Sequence, residues 1–117
     1  MKFCFISSHA PYGSTLARDG IESLLVAASY DMNATVLFMG DGVLQLVAEQ
    51  EPGELPQKNT GAMLQALEMY GIENILVCRE DMLVFGLQAE QLLLKAKQVS
   101  RSDIPGIIRE QDRVLNF

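Results

Sequence analysis

Apolar and polar positions fall into blocks along this chain, and the period of the blocks changes repeatedly. Lys2 to Ser7 is a short apolar run closed by polar residues, which predicts a buried strand. The loop His9-Ala10-Pro11-Tyr12-Gly13-Ser14 follows. Leu16, Gly20, Leu24 and Ala27 then recur at helical spacing, flanked by Ile21, Leu25 and Ala28. Ser14 or Thr15 is placed to cap that helix, which should end near Tyr30 and Asp31. Asn33 to Met39 predicts a second strand, stopped by Gly40-Asp41-Gly42, and Val43 to Ala48 a short helix.

Pro52, Gly53 and Pro56 break Glu49 to Lys58 into an exposed loop rather than a domain boundary. Asn59 or Thr60 caps a helix carrying Met63, Leu64, Leu67 and Tyr70, with Gly71 as its stop. Ile72 to Cys78 is a third strand, and Arg79 to Phe85 a short helix ended by Gly86. Leu92 to Val99 fits a strand or a helix, with the strand preferred. Ser102 and Asp103 cap a final helix through Glu110, and Arg113 to Phe117 closes the chain as a strand. Strands alternate with helices throughout, which implies right-handed crossovers and a mainly parallel sheet of about five strands. The expected fold class is α/β: one flavodoxin-like domain over residues 1–117, with helices on both faces of the sheet.

Composition narrows the function. With 117 residues, 49% hydrophobic and 21% charged, the chain suits a single globular core. The formal net charge of −6, with nine scattered Lys and Arg, argues against direct nucleic-acid binding. The apolar stretch after Met1 is too short for an export signal and no run is long enough to span a membrane, so a cytoplasmic location is expected. In that compartment Cys4 and Cys78 are expected to remain free thiols. Two cysteines and one histidine argue against a four-ligand zinc site within one chain. No cofactor is expected. The segment Ser8 to Ser14 lacks the Gly-Lys-Ser/Thr ending and the glycine spacing of nucleotide-binding loops. A flavin is disfavoured on the same ground.

Ligands of open parallel sheets gather at the carboxyl ends of the strands. Three segments fall there: Ser8 to Ser14, Gly40 to Val43, and Cys78 to Asp81. Cys78 is the candidate nucleophile, because a thiol between a strand end and a helix start, beside Arg79, has two sources of thiolate stabilisation. Glu80 and Asp81 oppose a further anion there, and the competing reading is a small buried core residue. His9 is a candidate acid or base, or a turn residue. Tyr12, Gly13, Arg18 and Asp41 are candidate site-lining or partner-contact residues. Met82, Leu83, Val84 and Phe85 form a run that is apolar on every side, and a partner subunit is the expected cover, with Met82 and Phe85 as contacts.

The chain resembles the DsrE/DsrF family, and within it the TusC/DsrF branch, in Phe5-Ile6-Ser7-Ser8-His9-Ala10-Pro11-Tyr12-Gly13-Ser14, Arg18-Asp19-Gly20-Ile21-Glu22-Ser23-Leu24-Leu25, Asp41-Gly42-Val43-Leu44-Gln45-Leu46 and Asp112-Arg113-Val114-Leu115-Asn116-Phe117. The resemblance implies a sulfur-relay subunit working in a heterohexamer with TusB-like and TusD-like subunits. Such a complex passes persulfide sulfur to a downstream acceptor protein, towards 2-thiouridine at the tRNA wobble position. The implied role is mainly structural, because the family's sulfur-carrying cysteine belongs to the TusD/DsrE subunit. Cys78 falls at a position that looks equivalent, so the alternatives are a sulfurtransferase carrying a persulfide on Cys78 and a Dsr-type component of sulfur oxidation. An isolated subunit with an apolar face is also expected to self-associate as a homo-oligomer.

Overall fold

Five short strands are laid side by side, all parallel, in the order β4-β3-β2-β1-β5. They are β1 (Lys2–Ser7), β2 (Asn33–Phe38), β3 (Asn74–Cys78), β4 (Lys97–Val99) and β5 (Arg113–Asn116). The computed structural model describes residues 2–10, 15–30, 33–47, 60–72, 74–92 and 95–117, with backbone alone for 60–63. Strands β1 to β4 follow one another across the sheet, and the chain then returns to add β5 on the free edge of β1. Right-handed crossovers therefore put the first three connections on one face and the last on the other.

The side chains follow that division. On one face α1 (Leu16–Ser29) and α2 (Thr60–Met69) pack Ile21, Leu24, Leu64 and Leu67 into a core with Phe5, Val36, Phe38, Ile75 and Val77. On the other face α4 (Ile104–Arg109) sets Ile104 against Cys4, Ile6, Leu37, Cys78 and Val99. Alternate residues of each inner strand belong to alternate cores, the period of two expected of a sheet covered on both sides. The edges carry the polar load: β4 and β5 are short and mostly exposed, which protects them from pairing with other chains. Among the described residues no helix is long and apolar enough to cross a membrane.

Local signals placed most elements. Helix α2 ends where expected, at Gly71, whose φ of 81° is open to glycine at no steric cost. The Gly71 N–H donates to the Glu68 carbonyl and the Ile72 N–H to the Leu67 carbonyl, and both Leu67 and Ile72 are buried. Helix α3 (Arg79–Val84) ends in the same way at Gly86, with the Leu87 N–H donating to Met82.

Four local expectations need correction. The short helix expected over Val43 to Ala48 is a 3-10 helix over Gly40–Leu46, which starts directly after β2 because Gly40 takes a φ of 55°. Ala48 lies outside the described residues. Thr15 stands at the start of α1 in helical backbone and makes no side-chain cap bond, while Ser14 and Asn59 lie outside the described residues. Of the strand expected over Leu92 to Val99, residues 93–94 lie outside the described residues, the rest is strand only at Lys97–Val99, and Leu92 makes an isolated antiparallel bridge to Val47. The capping hydroxyl near α4 is that of Ser100, which accepts from the Ser102 N–H and opens a 3-10 turn, Arg101–Asp103, ahead of the helix. The proline-rich stretch 51–58 also lies outside the described residues.

With six residues, α4 is too short to cover its whole face. It leaves a recess of about 290 Å³ at the amino ends of the strands, lined by Lys2, Asn33, Thr35, Asn74, Lys97 and Gln111 among others. Closer packing marks the opposite end. A Cβ on Gly42 would stand 2.0 Å from the Ser7 carbonyl oxygen, whereas one on Gly106 would meet nothing within 4 Å. Gly42→Ala is therefore expected to cost about 3 kcal/mol, because backbone has to move to make room. Gly106→Ala is expected to add up to about 1 kcal/mol through helix propensity. Urea denaturation of the two variants checks the contrast.

Candidate functional site

The carboxyl ends of β1 to β4 are joined by polar side chains that come from the loops after them. Gln45, fully buried, donates from Nε2 to Ser7 Oγ at 2.6 Å and to the His9 carbonyl at 2.8 Å. It thereby ties the 3-10 helix after β2 to the end of β1. A buried amide held this way fixes the position of both segments, since breaking either bond strands a polar group away from water. The same end of β1 receives the chain's last residue: the Phe117 carbonyl accepts from the Ser8 N–H at 2.8 Å, and its ring stacks on Phe5 at 6.2 Å.

A second cluster surrounds Cys78, the last residue of β3. The Cys78 side chain has no exposed surface, and its Sγ lies 4.0 Å from Glu80 Oε1. Glu80 is gripped in turn by Ser100 Oγ at 3.2 Å and by the Arg101 N–H at 3.0 Å. Its neighbour Asp81, buried, accepts from the Gly40 N–H at 2.7 Å and pairs with the Arg101 guanidinium. Two adjacent carboxylates on α3 thus connect the loop after β2 with the turn after β4.

Burial is the chief cause that raises the Cys78 thiol above its ordinary range. The backbone N–H of Asp81 pulls the other way, and the Asp81 carboxylate pushes it up again through a hydrogen bond and its charge. The Cys4 thiol, inside β1, is likewise raised by burial. The Glu80 carboxyl is held below the usual glutamate range, first by the Arg101 backbone N–H. Helix α3 has six residues, so its dipole gives a thiolate little help. The arrangement suits a neutral thiol under two fixed anions.

The other candidates scatter. His9 is exposed just past β1, and its carbonyl rather than its ring is engaged by Gln45. Arg18 is part-buried on α1, with Nε 4.0 Å from Glu22. Asp41 is exposed at the start of the 3-10 helix and Arg79 is exposed on α3. Tyr12 and Gly13 lie outside the described residues. Met82 is 2% exposed and faces the α1–α2 core, so it is unavailable to a partner. A six-residue helix lying on a sheet must turn one side inward, and Met82 is the apolar residue on that side, next to buried Asp81. Leu83 at 70%, Val84 at 75% and Phe85 at 36% exposure face solvent.

Ser100 and Arg101 were not singled out from the sequence, and Gln45 and Gly42 were named there only within motifs, with no role of their own. One signal was available, in that Ser100 and Arg101 follow directly on the strand predicted to end at Val99. Among the described residues no group of three His, Cys, Asp or Glu side chains converges as a metal site would require.

This architecture is shared with solved structures. The crystal structure of the ychN protein from E. coli superposes with a TM-score of 0.86, at 20% identity, over 99% of this chain and 98% of that one. A protein of unknown function from Methanobacterium thermoautotrophicum gives a TM-score of 0.69 at 14% identity, over 99% of this chain and 98% of its own. These likenesses concern the fold. Sequence goes further: residues 1–117 match the DsrE/DsrF-like family, and the chain belongs to it. A relative from Vibrio parahaemolyticus called Protein TusC homolog is 34% identical over 113 residues, covering 97% of this chain and 96% of the relative. Protein TusC of Buchnera aphidicola subsp. Baizongia pistaciae is 31% identical over 117 residues, covering 99% and 98%.

Removing the Asp81 carboxylate strands the Gly40 N–H and unpairs Arg101, so Asp81→Ala is expected to lose about 2 kcal/mol in urea denaturation. The depressed Glu80 carboxyl carries stability that is fully present above the ordinary glutamate value, about pH 4.3, and is lost as pH falls through the lower folded value. Acid titrations of stability should therefore show wild type and Glu80→Gln converging below that pH.

Proposed function

We propose that this chain is a subunit of a sulfur-relay complex, in which it serves mainly as structure and docking surface. Family membership and the TusC-named relatives along its whole length support this reading. In it, the chain joins TusB-like and TusD-like subunits, two copies of each of the three, in the cytoplasm. The complex passes persulfide sulfur to a downstream acceptor protein, towards 2-thiouridine at the tRNA wobble position. The acidic surface suits a member that meets proteins and leaves the tRNA to a later enzyme.

The observation that carries the structural role is the pairing of a covered thiol with an uncovered apolar face. Cys78 is sealed under Glu80, while Leu83, Val84 and Phe85 stand exposed on the helix that follows. A single exposed leucine is unremarkable, but three consecutive large apolar residues beside the sheet end form a patch of the kind that partners cover. Tagged recovery from the source cells followed by native mass spectrometry tests the reading. Two small related subunits in equal ratio are expected, and recovery of the chain alone overturns it. Leu83→Glu/Val84→Glu should leave the circular dichroism spectrum unchanged, because both side chains point to water, and should abolish recovery of the partners.

A further inference from the structure

Four hydrogen-bond donors converge around the carboxyl end of β3: the Gly40 N–H, the Arg101 N–H, the Arg101 guanidinium and the Ser100 hydroxyl. They come from the loop after β2 and the turn after β4, the two strands that flank the Cys78 strand. Convergent donors of this kind, one of them cationic, form a cradle for an anion. An anion in such a place, beside a cysteine at the end of a strand, would ordinarily be an external ligand or the thiolate itself. Here the chain supplies the anions. Asp81 takes the Gly40 N–H and the guanidinium, and Glu80 takes the Arg101 N–H and the Ser100 hydroxyl.

We propose that Glu80 and Asp81 act as internal anions, filling this cradle from within the chain and so holding Cys78 as an unreactive neutral thiol. The proposal deepens the structural role argued above and rests on it. Its physical basis is that only a thiolate is an effective nucleophile, and that a negative charge in contact disfavours a second one. Glu80 Oε1 is 4.0 Å from Sγ, at the reach of a weak S–H···O hydrogen bond, which leaves the proton on sulfur. The charged groups around Cys78 are Glu80, Asp81, Arg79 and Arg101. The cations do not compensate the thiol, because Arg101 is committed to Asp81 and Arg79 is exposed beside Glu80. The core behind Cys78, made of Cys4, Ile6, Leu37, Val99 and Ile104, adds no charged side chain. Glu80 and Asp81 are positioning residues in this account, since they act on the reactivity of another group.

The test compares alkylation of Cys78 by iodoacetamide near neutral pH in wild type, Glu80→Gln/Asp81→Asn and Arg101→Gln, with the labelled peptide identified by mass spectrometry. Both variants loosen the same network, but they change its charge in opposite directions. In the double variant Cys78 should label about tenfold faster or more, with the midpoint of the pH–rate profile about a unit lower. In Arg101→Gln, which keeps both carboxylates, labelling should be no faster than in wild type. The proposal is overturned if the folded double variant labels at the wild-type rate, or if both variants speed labelling equally, since loosened packing would then be the cause. Recovery of the partner subunits by the double variant separates the two readings. A variant that still assembles but labels like wild type sinks the internal-anion proposal and leaves the relay role standing.

Discussion

One side chain holds three neighbouring strand ends in register. Asp81 sits at the start of α3, after β3, yet its two oxygens bind the Gly40 N–H after β2 and the Arg101 guanidinium after β4. Loops at the carboxyl edge of a parallel sheet have no ladder to order them, so their positions depend on contacts of this kind. Charge-assisted bonds to a mostly buried carboxylate are strong enough to do this, and costly to leave half-made. Gln45 plays the matching part at β1, and Gly42 allows the backbone of the 3-10 helix to come close enough for the amide to reach. The donors around the end of β3 are therefore met by side chains of the chain itself.

That network has a chemical consequence for the cysteine it encloses. A strand end beside a helix start is where a reactive thiol is commonly built, and the sequence position of Cys78 invites that reading. The donors of the neighbouring loops, from Gly40, Ser100 and Arg101, are already engaged by carboxylates, and burial disfavours the charge further, outweighing the pull of the Asp81 and Glu80 backbone N–H groups. Helix α3, which carries the two carboxylates on its first turn, turns Met82 inward and leaves Leu83 and Val84 in water. One short helix thus closes the thiol on one side and offers an apolar surface on the other.

Much of the fold was readable from local pattern. The parallel sheet, the helical layers on both faces, and the stops at Gly71 and Gly86 follow from residue periods and from the freedom of glycine at positive φ, both of which act over a few residues. The short stretches read less well. Among the described residues of Leu92 to Val99 only Lys97–Val99 is strand, because an edge position with one buried residue is decided by neighbours rather than by its own composition. Of the candidate site, Cys78 and the opposing effect of Glu80 and Asp81 were visible as neighbours in sequence. Their partners were not, because Gly40 stands 41 residues from Asp81 and Arg101 stands 20 away.

By itself, then, the sequence determined the alternation of strands and helices and the membership of a family. Tertiary structure alone decided the strand order, which loops meet at the carboxyl edge, which residue of the Met82 to Phe85 run turns inward, and that Cys78 is sealed. The reason is physical. Local pattern is set by interactions within a few residues, whereas the state of a thiol is set by the charges and donors that register and crossover bring to it from elsewhere in the chain.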